Sequence, residues 1–208
     1  MEALEVSKRL IMTLLLTFIA VASLTTYFVS QQLEGQDIVN GRKIEPSRPL
    51  QEFSLQEAGV QEPFTRSDLL GHWTILAFGF TNCPDVCPTT LAYFRDEIQL
   101  LDKDQKKTQF VFVSVDPQRD TAAKLQKYVR TFHPAIRAVT GETEELKRFV
   151  KMFGAYFDYP QGKSGEYYEV AHTPYLFLIS PKGQWQALYT QPLGRGKVAM
   201  DLTRLINS

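Results

Sequence analysis

Cys83 and Cys87 are the only two cysteines in a chain of 208 residues, and they stand four apart in Cys83-Pro84-Asp85-Val86-Cys87-Pro88. Two thiols that can meet form either a redox couple or a clamp for a soft metal ion. Both chemistries use the thiolate. The prolines put the pair near the start of a helix, where the dipole favours negative sulfur. If Pro88 lies in the first turn, Cys87 sits at the helix entrance. If the helix begins one turn earlier, Pro84 takes that place and Cys83 caps it. A stabilising disulfide is the plainer alternative. It would close a very short loop, worth roughly 2 kcal/mol on a chain-entropy argument. Helical neighbours at i,i+4 hold their Cβ atoms about 5–6 Å apart, whereas a disulfide needs about 3.8 Å. Such a bond would be a poor staple and readily reduced.

Soft thiolates select copper(I) or zinc over hard cations. Two sulfurs leave a site incomplete, so a third ligand is sought among the three histidines. His72 precedes Trp73 at the amino end of an apolar run and is expected to be exposed and idle. His133, before Pro134, is expected to meet the end of a helix. His172 precedes Thr173-Pro174 and the run Tyr175–Ile179. Its loop should face the helix that carries the cysteines.

The elements that must position these residues read as follows. Trp73–Phe80, Phe110–Val115 and Pro174–Ile179 are apolar runs that predict buried strands, and Ile136–Val139 predicts a short one. Pro88 to about Lys103 predicts an amphipathic helix with Leu91, Phe94, Ile98 and Leu101 on one face. Asp120 is a candidate cap for a helix reaching about Phe132. Thr143–Phe153 carries the stripe Leu146, Phe149, Val150 and Phe153. Phe53-Ser54-Leu55 suggests a short strand, and Ser67–Leu70 a capped helical turn. Residues 154–171 form a tyrosine-rich loop or hairpin. Pro181-Lys182-Gly183 turns the chain into Gln184–Tyr189, and a last helix covers roughly 196–206. Strand–helix alternation followed by a hairpin and a closing helix predicts an α/β, thioredoxin-like sandwich. Sites in such sheets gather at the carboxyl ends of the strands, so Cys83 and Asp116 are expected on one rim.

Residues 10–33 carry no charge, and Leu10–Val29 is about long enough to cross a bilayer as a helix. Lys8 and Arg9 precede it and Glu34 and Asp37 follow, so the positive-inside rule predicts residues 1–9 in the cytoplasm and the rest outside. The expected division is a transmembrane anchor at 10–30, a polar tether at 31–50 and a folded domain at 51–208. A cleaved signal peptide ending near Ala20-Val21-Ala22 is the competing reading. Both export the domain to an oxidising compartment that permits a disulfide. Twenty-three acidic residues balance 23 basic ones, which gives no reason to expect nucleic acid as a partner.

Three segments resemble the Sco/SenC family of membrane-anchored copper-binding proteins. They are the strand end and motif Gly79–Pro88, the segment Val113–Thr121 with Asp116-Pro117-Gln118-Arg119-Asp120-Thr121, and the distal His172-Thr173. The resemblance spans about residues 50–206. It implies a copper site made by Cys83, Cys87 and His172, with copper(I) mainly on the thiolates and copper(II) adding the imidazole. It also implies help in assembling the dinuclear copper centre of cytochrome c oxidase, by delivering copper or by reducing the receiving cysteines. The partner would be the oxidase's copper-bearing subunit or another copper-receiving protein. Asp116 is a candidate to support the ligands from behind, or a plain turn residue. Asp120 is expected as a helix cap, Asp85 as a solvated carboxylate, and Phe78, Phe80 and Tyr175 as core. Pro174 departs from the family's pattern and predicts a cis Thr173–Pro174 bond opposite the cysteines.

The leading expectation is a copper metallochaperone at a bacterial inner membrane, its domain in the periplasm. The alternative is an envelope thiol–disulfide oxidoreductase with Cys83 as the attacking thiol. A peroxidase and a zinc site fit less well, because no separate peroxidatic environment and no general base stand out.

Overall fold

The computed structural model describes residues 2–33, 38–101, 106–161 and 168–207, with side chains in the first stretch described for residues 12–27. The chain divides into two units, Met1–Asp37 and Ile38–Asn207. The first holds one helix, α1 (Glu2–Leu33). Its hydroxyls turn back on their own backbone: Thr17 Oγ1 donates to Leu14 O at 2.9 Å, Ser23 Oγ to Ile19 O at 2.8 Å and Thr26 Oγ1 to Ala22 O at 2.9 Å. Met12, Leu15, Phe18, Ile19 and Leu24 are among its exposed apolar side chains. Among the described residues no helix is long and apolar enough to cross a membrane. At ~1.5 Å per residue, residues 12–27 span about 24 Å, short of a ~30 Å hydrocarbon core. The predicted anchor extends beyond these residues at both ends.

The second unit is a mixed α/β sandwich of the thioredoxin-like kind, built on an eight-stranded sheet. In chain order the strands are β1 (Arg42–Pro49), β2 (Ser54–Glu57), β3 (Pro63–Thr65), β4 (Trp73–Gly79), β5 (Thr108–Ser114), β6 (Ile136–Thr140), β9 (Leu176–Ile179) and β10 (Gln184–Tyr189). The short strands β7 (Phe157–Asp158) and β8 (Ala171–His172) pair separately. The spatial order of the large sheet is β1-β10-β9-β4-β5-β6-β2-β3. Its helices are α2 (Val86–Leu101), α3 (Ala122–Arg130), α4 (Thr143–Met152) and α5 (Lys197–Asn207), with a 3₁₀ turn at Arg66–Leu69.

Side-chain alternation along the strands builds two cores. Ile75 and Ala77 of β4, with Phe110 and Phe112 of β5, face α2, α3 and α5, where Leu91, Phe94, Leu125, Val198 and Leu202 complete the first core. Leu76, Phe78, Val111 and Val113 point the other way and meet Leu146, Phe149 and Val150 of α4. The apolar stripe of α2 runs Cys87, Leu91, Phe94, Ile98 and Leu101, so its first member is a cysteine. Cys83 packs against both cores, at the rim where they meet.

Register decides what reaches that rim. β4 runs parallel to β5, with Gly79 opposite Ser114, and antiparallel to β9, with Ala77 opposite Leu176. The carboxyl ends of β4 and β5 and the amino end of β9 therefore lie together. The loops carrying Cys83, Asp116 and His172 all leave from that place.

The folded unit begins earlier than predicted. Residues 42–49 fall inside the expected tether but form β1, which pairs antiparallel with β10. Pro46 and Pro49 break the apolar alternation by which a strand is recognised, and an edge strand tolerates both. Asp201 of α5 fixes this beginning. It is fully buried and accepts from Val39 N at 3.1 Å, Asn40 Nδ2 at 2.9 Å, Gly41 N at 3.2 Å and Tyr189 Oη at 3.2 Å. Tyr175, expected in the core, is 37% exposed because β9 turns inward only at Leu176. The predicted helix end at Lys103 lies outside the described residues, as does the centre of the tyrosine-rich loop at 162–167.

Asp201→Ala would leave several buried donors unsatisfied at once, at about 1–3 kcal/mol for each group truly stranded. Urea unfolding should show a loss of about 2–4 kcal/mol, and limited proteolysis should cut first near residues 38–41.

Candidate metal centre

The helix register resolves the two alternatives left open for the cysteines. α2 starts at Val86, and Asp85 O accepts the first helical bond, from Thr89 N at 3.2 Å. Cys87 is therefore in the first turn, and Pro88 follows where a missing N–H costs nothing. Cys83 lies just outside the helix, and the N–H groups of Asp85 and Cys87 point at its sulfur. It occupies the place of a capping acceptor.

The two thiols are free and unlike each other. Cys83 is half-buried and Cys87 is 1% exposed. The Cys87 thiol donates to the Cys83 sulfur. This hydrogen bond, with the two backbone N–H groups, outweighs burial and pushes Cys83 down to about 5. The same bond and burial push the Cys87 thiol up. At neutral pH the pair shares one proton, held on the inner sulfur.

His172, half-buried on β8, comes to the same sulfur from 85 residues away. Its Nε2 is 3.7 Å from Cys87 Sγ, and its Nδ1 is 2.9 Å from Val170 O. A carbonyl only accepts, so Nδ1 must carry the proton. In the neutral ring Nε2 then presents its lone pair toward Cys87. The Phe80 ring meets the imidazole edge-on, with centroids 5.6 Å apart. On the far side of Cys87 stands Gly79, where an added Cβ would lie 2.6 Å from the sulfur and 2.6 Å from Phe112 Cζ. The sulfur reaches the strand end because that residue has no side chain.

A sulfur and a nitrogen on one tetrahedral first-row ion, at about 2.3 and 2.0 Å, stand roughly 3.6 Å apart. The Cys87–His172 pair has that spacing. Among the described residues, however, no group of three or more His, Cys, Asp or Glu side chains is arranged to hold a metal ion. Among them, only Cys87 and His172 stand at such a spacing. His72 and His133 take no part: His72 Nδ1 lies 3.1 Å from Leu70 O, and His133 Nδ1 accepts from Ala135 N at 3.2 Å.

Several expectations change here. The Thr173–Pro174 bond is trans; the cis bonds among the described residues are Glu45–Pro46 and Gln191–Pro192. Thr173 is held by Tyr156, whose carbonyl accepts from Thr173 N at 3.1 Å and whose N–H donates to Thr173 Oγ1 at 3.1 Å. That tie sets the approach to β9 without the costlier isomer. Asp120 does not cap α3. Thr121 does, accepting from Lys124 N at 3.3 Å. Asp120 turns inward instead, accepting from Thr81 N at 2.8 Å, from the Thr81 hydroxyl and from Ser114 Oγ at 2.6 Å. It thereby braces the loop that leads to Cys83. Asp116 is fully buried and is engaged by Arg119 Nε and Tyr168 Oη rather than by either sulfur. Gly79 and Arg119 were both within the motifs, but only three-dimensional proximity gives them a role.

A model of the SCO1/SenC family matches residues 42–207. This chain belongs to that family. It is 41% identical to SCO2 of Saccharomyces cerevisiae mitochondria over 128 residues, which cover 60% of this chain and 42% of that one. Among solved family structures, yeast Sco1 with copper bound matches with a TM-score of 0.71 and 31% identity, covering 77% of this chain and 90% of that one. Apo Sco1 from Thermus thermophilus matches with a TM-score of 0.72 and 32% identity, covering 80% and 96%. The chain spans about half the length of the curated relatives it matches.

The unequal thiols give a measurable pH signature. Iodoacetamide should label Cys83 first, with Cys87 much slower in the folded protein. The Cys83 rate should stay nearly level from pH 9 down to 6 and drop only as pH falls through about 5. An ordinary thiol would lose about tenfold per unit below its own pKa. Mass spectrometry of quenched samples reads both sites. Equal labelling, or a Cys83 rate falling steadily below pH 8, would contradict the assigned asymmetry.

Proposed function

We propose that this domain takes up one copper ion on Cys83, Cys87 and His172 and serves the assembly of the dinuclear copper centre of cytochrome c oxidase. The single observation that carries the reading is the 3.7 Å approach of His172 Nε2 to Cys87 Sγ, with Nδ1 tied back to Val170 O. An imidazole whose Nδ1 is tied back and whose Nε2 is aimed at a buried sulfur is a half-built ligand set. Two thiolates suit copper(I), and the added imidazole suits copper(II). The copper-bound yeast Sco1 has the same fold.

In this reading each residue has a distinct task. Cys83, held as thiolate by the Cys87 thiol and the backbone N–H groups of Asp85 and Cys87, offers the first sulfur from its half-exposed loop. Cys87 releases its proton on binding, so uptake is favoured by rising pH. His172 supplies the ligand that separates copper(II) binding from a plain dithiol. Closing the third ligand requires a small movement of the Cys83 loop. The receiving partner is the oxidase subunit that carries the centre, or another copper-receiving protein.

Thiol–disulfide exchange on a partner's cysteines is the second reading. Cys83, half-exposed and ionised, attacks a partner's disulfide and expels one of its sulfurs as thiolate; Cys87, buried beside it, then loses its proton and attacks the Cys83 sulfur, closing the Cys83–Cys87 disulfide and releasing the partner's second thiolate. The asymmetry of the pair favours this order.

Copper stoichiometry and electron paramagnetic resonance on residues 38–208, wild type against His172→Ala, test the proposal. One copper(II) per chain with nitrogen coupling is expected. In the variant the coupling should vanish and copper(II) affinity fall at least ~100-fold, beyond the 10–100-fold seen when a ligand's supporting partner is lost. Unchanged copper binding in the variant, with rapid disulfide exchange, would move the function to the thiol chemistry alone.

We further propose that residues 10–30 anchor the protein in a bacterial inner membrane with the domain in the periplasm. The 32-residue helix α1, its exposed apolar side chains and its internally bonded hydroxyls support this. Protease added to spheroplasts should degrade residues 38–207 while the chain stays with the membrane through carbonate washing. A protected domain, or release by carbonate, would remove the proposal.

A further inference from the structure

We infer that Arg119 is the positioning residue for His172, fixing the segment that delivers the imidazole to Cys87. The inference rests on the copper-site reading for its consequence, but its geometry stands apart from any metal.

Arg119 follows β5 and is only 11% exposed. Its Nε donates to the buried Asp116 Oδ2, and its Nη1 donates to Tyr168 O at 2.8 Å. Its guanidinium lies over the Tyr168 ring at 3.5 Å from the centroid and near the Phe80 ring at 5.5 Å. Tyr168 Oη completes a loop of contacts by donating to Asp116 Oδ1 at 2.9 Å. One planar cation thus joins the end of β5, the end of β4 and the segment entering β8.

That segment is what orients the imidazole. Tyr168 lies two residues before Val170, whose carbonyl takes the Nδ1 proton of His172, and Phe80 meets the ring edge-on. Downstream, Phe157 pairs with His172 across β7 and β8. Arg119 holds the upstream side. If Tyr168 shifts, Val170 O shifts with it, and nothing then obliges the proton to stay on Nδ1. The imidazole can take the other tautomer, which turns a lone pair away from Cys87. Lysine cannot reproduce this role. It keeps one charge beside Asp116 but lacks the planar fork that donates in two directions while lying on a ring.

The test compares Arg119→Lys with wild type and His172→Ala in the domain spanning residues 38–208, which forms its own compact unit. Nitrogen-15 imidazole NMR on metal-free, reduced protein at neutral pH reads the tautomer directly. Wild type should show His172 protonated on Nδ1 alone. The folded lysine variant should show a mixture, copper(II) affinity lowered about tenfold, and weakened nitrogen coupling, while copper(I) affinity changes less than about threefold. A merely structural role would lower the melting temperature without moving the tautomer. A folded Arg119→Lys with the wild-type tautomer and coupling overturns the inference. If that variant does not fold, the double variant Asp116→Asn with Arg119→Met removes both buried charges and is read the same way. Wild type that binds no copper would overturn the functional reading, while the tautomer comparison still decides the role of Arg119.

Discussion

Strand β4 is buried on both faces and paired on both edges, and the residues of the candidate site are positioned from its carboxyl end. Its parallel pairing with β5 and antiparallel pairing with β9 bring three loops to one rim. Neither pairing can slip by one residue without exchanging Ile75 and Ala77 for Leu76 and Phe78 between the two cores. The burial energy of the whole sheet therefore guards the placement of a few polar atoms. Gly79 is the last residue of that strand, and its missing side chain lets the first turn of α2 set a sulfur against the sheet.

What gathers there is a competition for one proton. Cys83 and Cys87 divide it unequally: the outer sulfur is the readier thiolate and the inner sulfur keeps the hydrogen, with His172 Nε2 3.7 Å from that inner sulfur. The arrangement is poised because each donor is restrained from outside. Backbone N–H groups hold Cys83, Gly79 and Phe112 confine Cys87, and Val170 O with Phe80 orients His172. Much of the entropy of ordering these side chains has thus been lost already in folding.

Much of this was legible in the residues themselves. A lone pair of cysteines four apart before a proline, an apolar stripe at helical spacing and runs of branched residues are local patterns, and local physics preserves them. The buried strands and α2 appear within two or three residues of where they were expected. The failures share a cause: each depended on a partner distant in the chain. Asp120 has the type and place of a helix cap, yet Thr81 and Ser114 draw it inward. Asp116, a candidate to support the ligands from behind or a plain turn residue, meets Arg119 and Tyr168, partners that only the folded chain reveals. Pro174 suggested a cis bond, whereas contacts between Thr173 and Tyr156 hold the approach to β9 in the ordinary isomer. β1 was hidden because prolines and charges mask an edge strand whose only requirement is to pair on one side.

Those same edge residues have a wider consequence. β1 closes one side of the large sheet with Pro46, Pro49 and the cations Arg42, Lys43 and Arg48, and β3 closes the other beginning at Pro63. Prolines offer no amide hydrogen, and like charges discourage a second strand from lying alongside. Growth of the sheet by addition of a further strand, a common route for sheet proteins, is therefore disfavoured at both borders. The sheet is thereby left to meet other molecules through side chains rather than through backbone pairing.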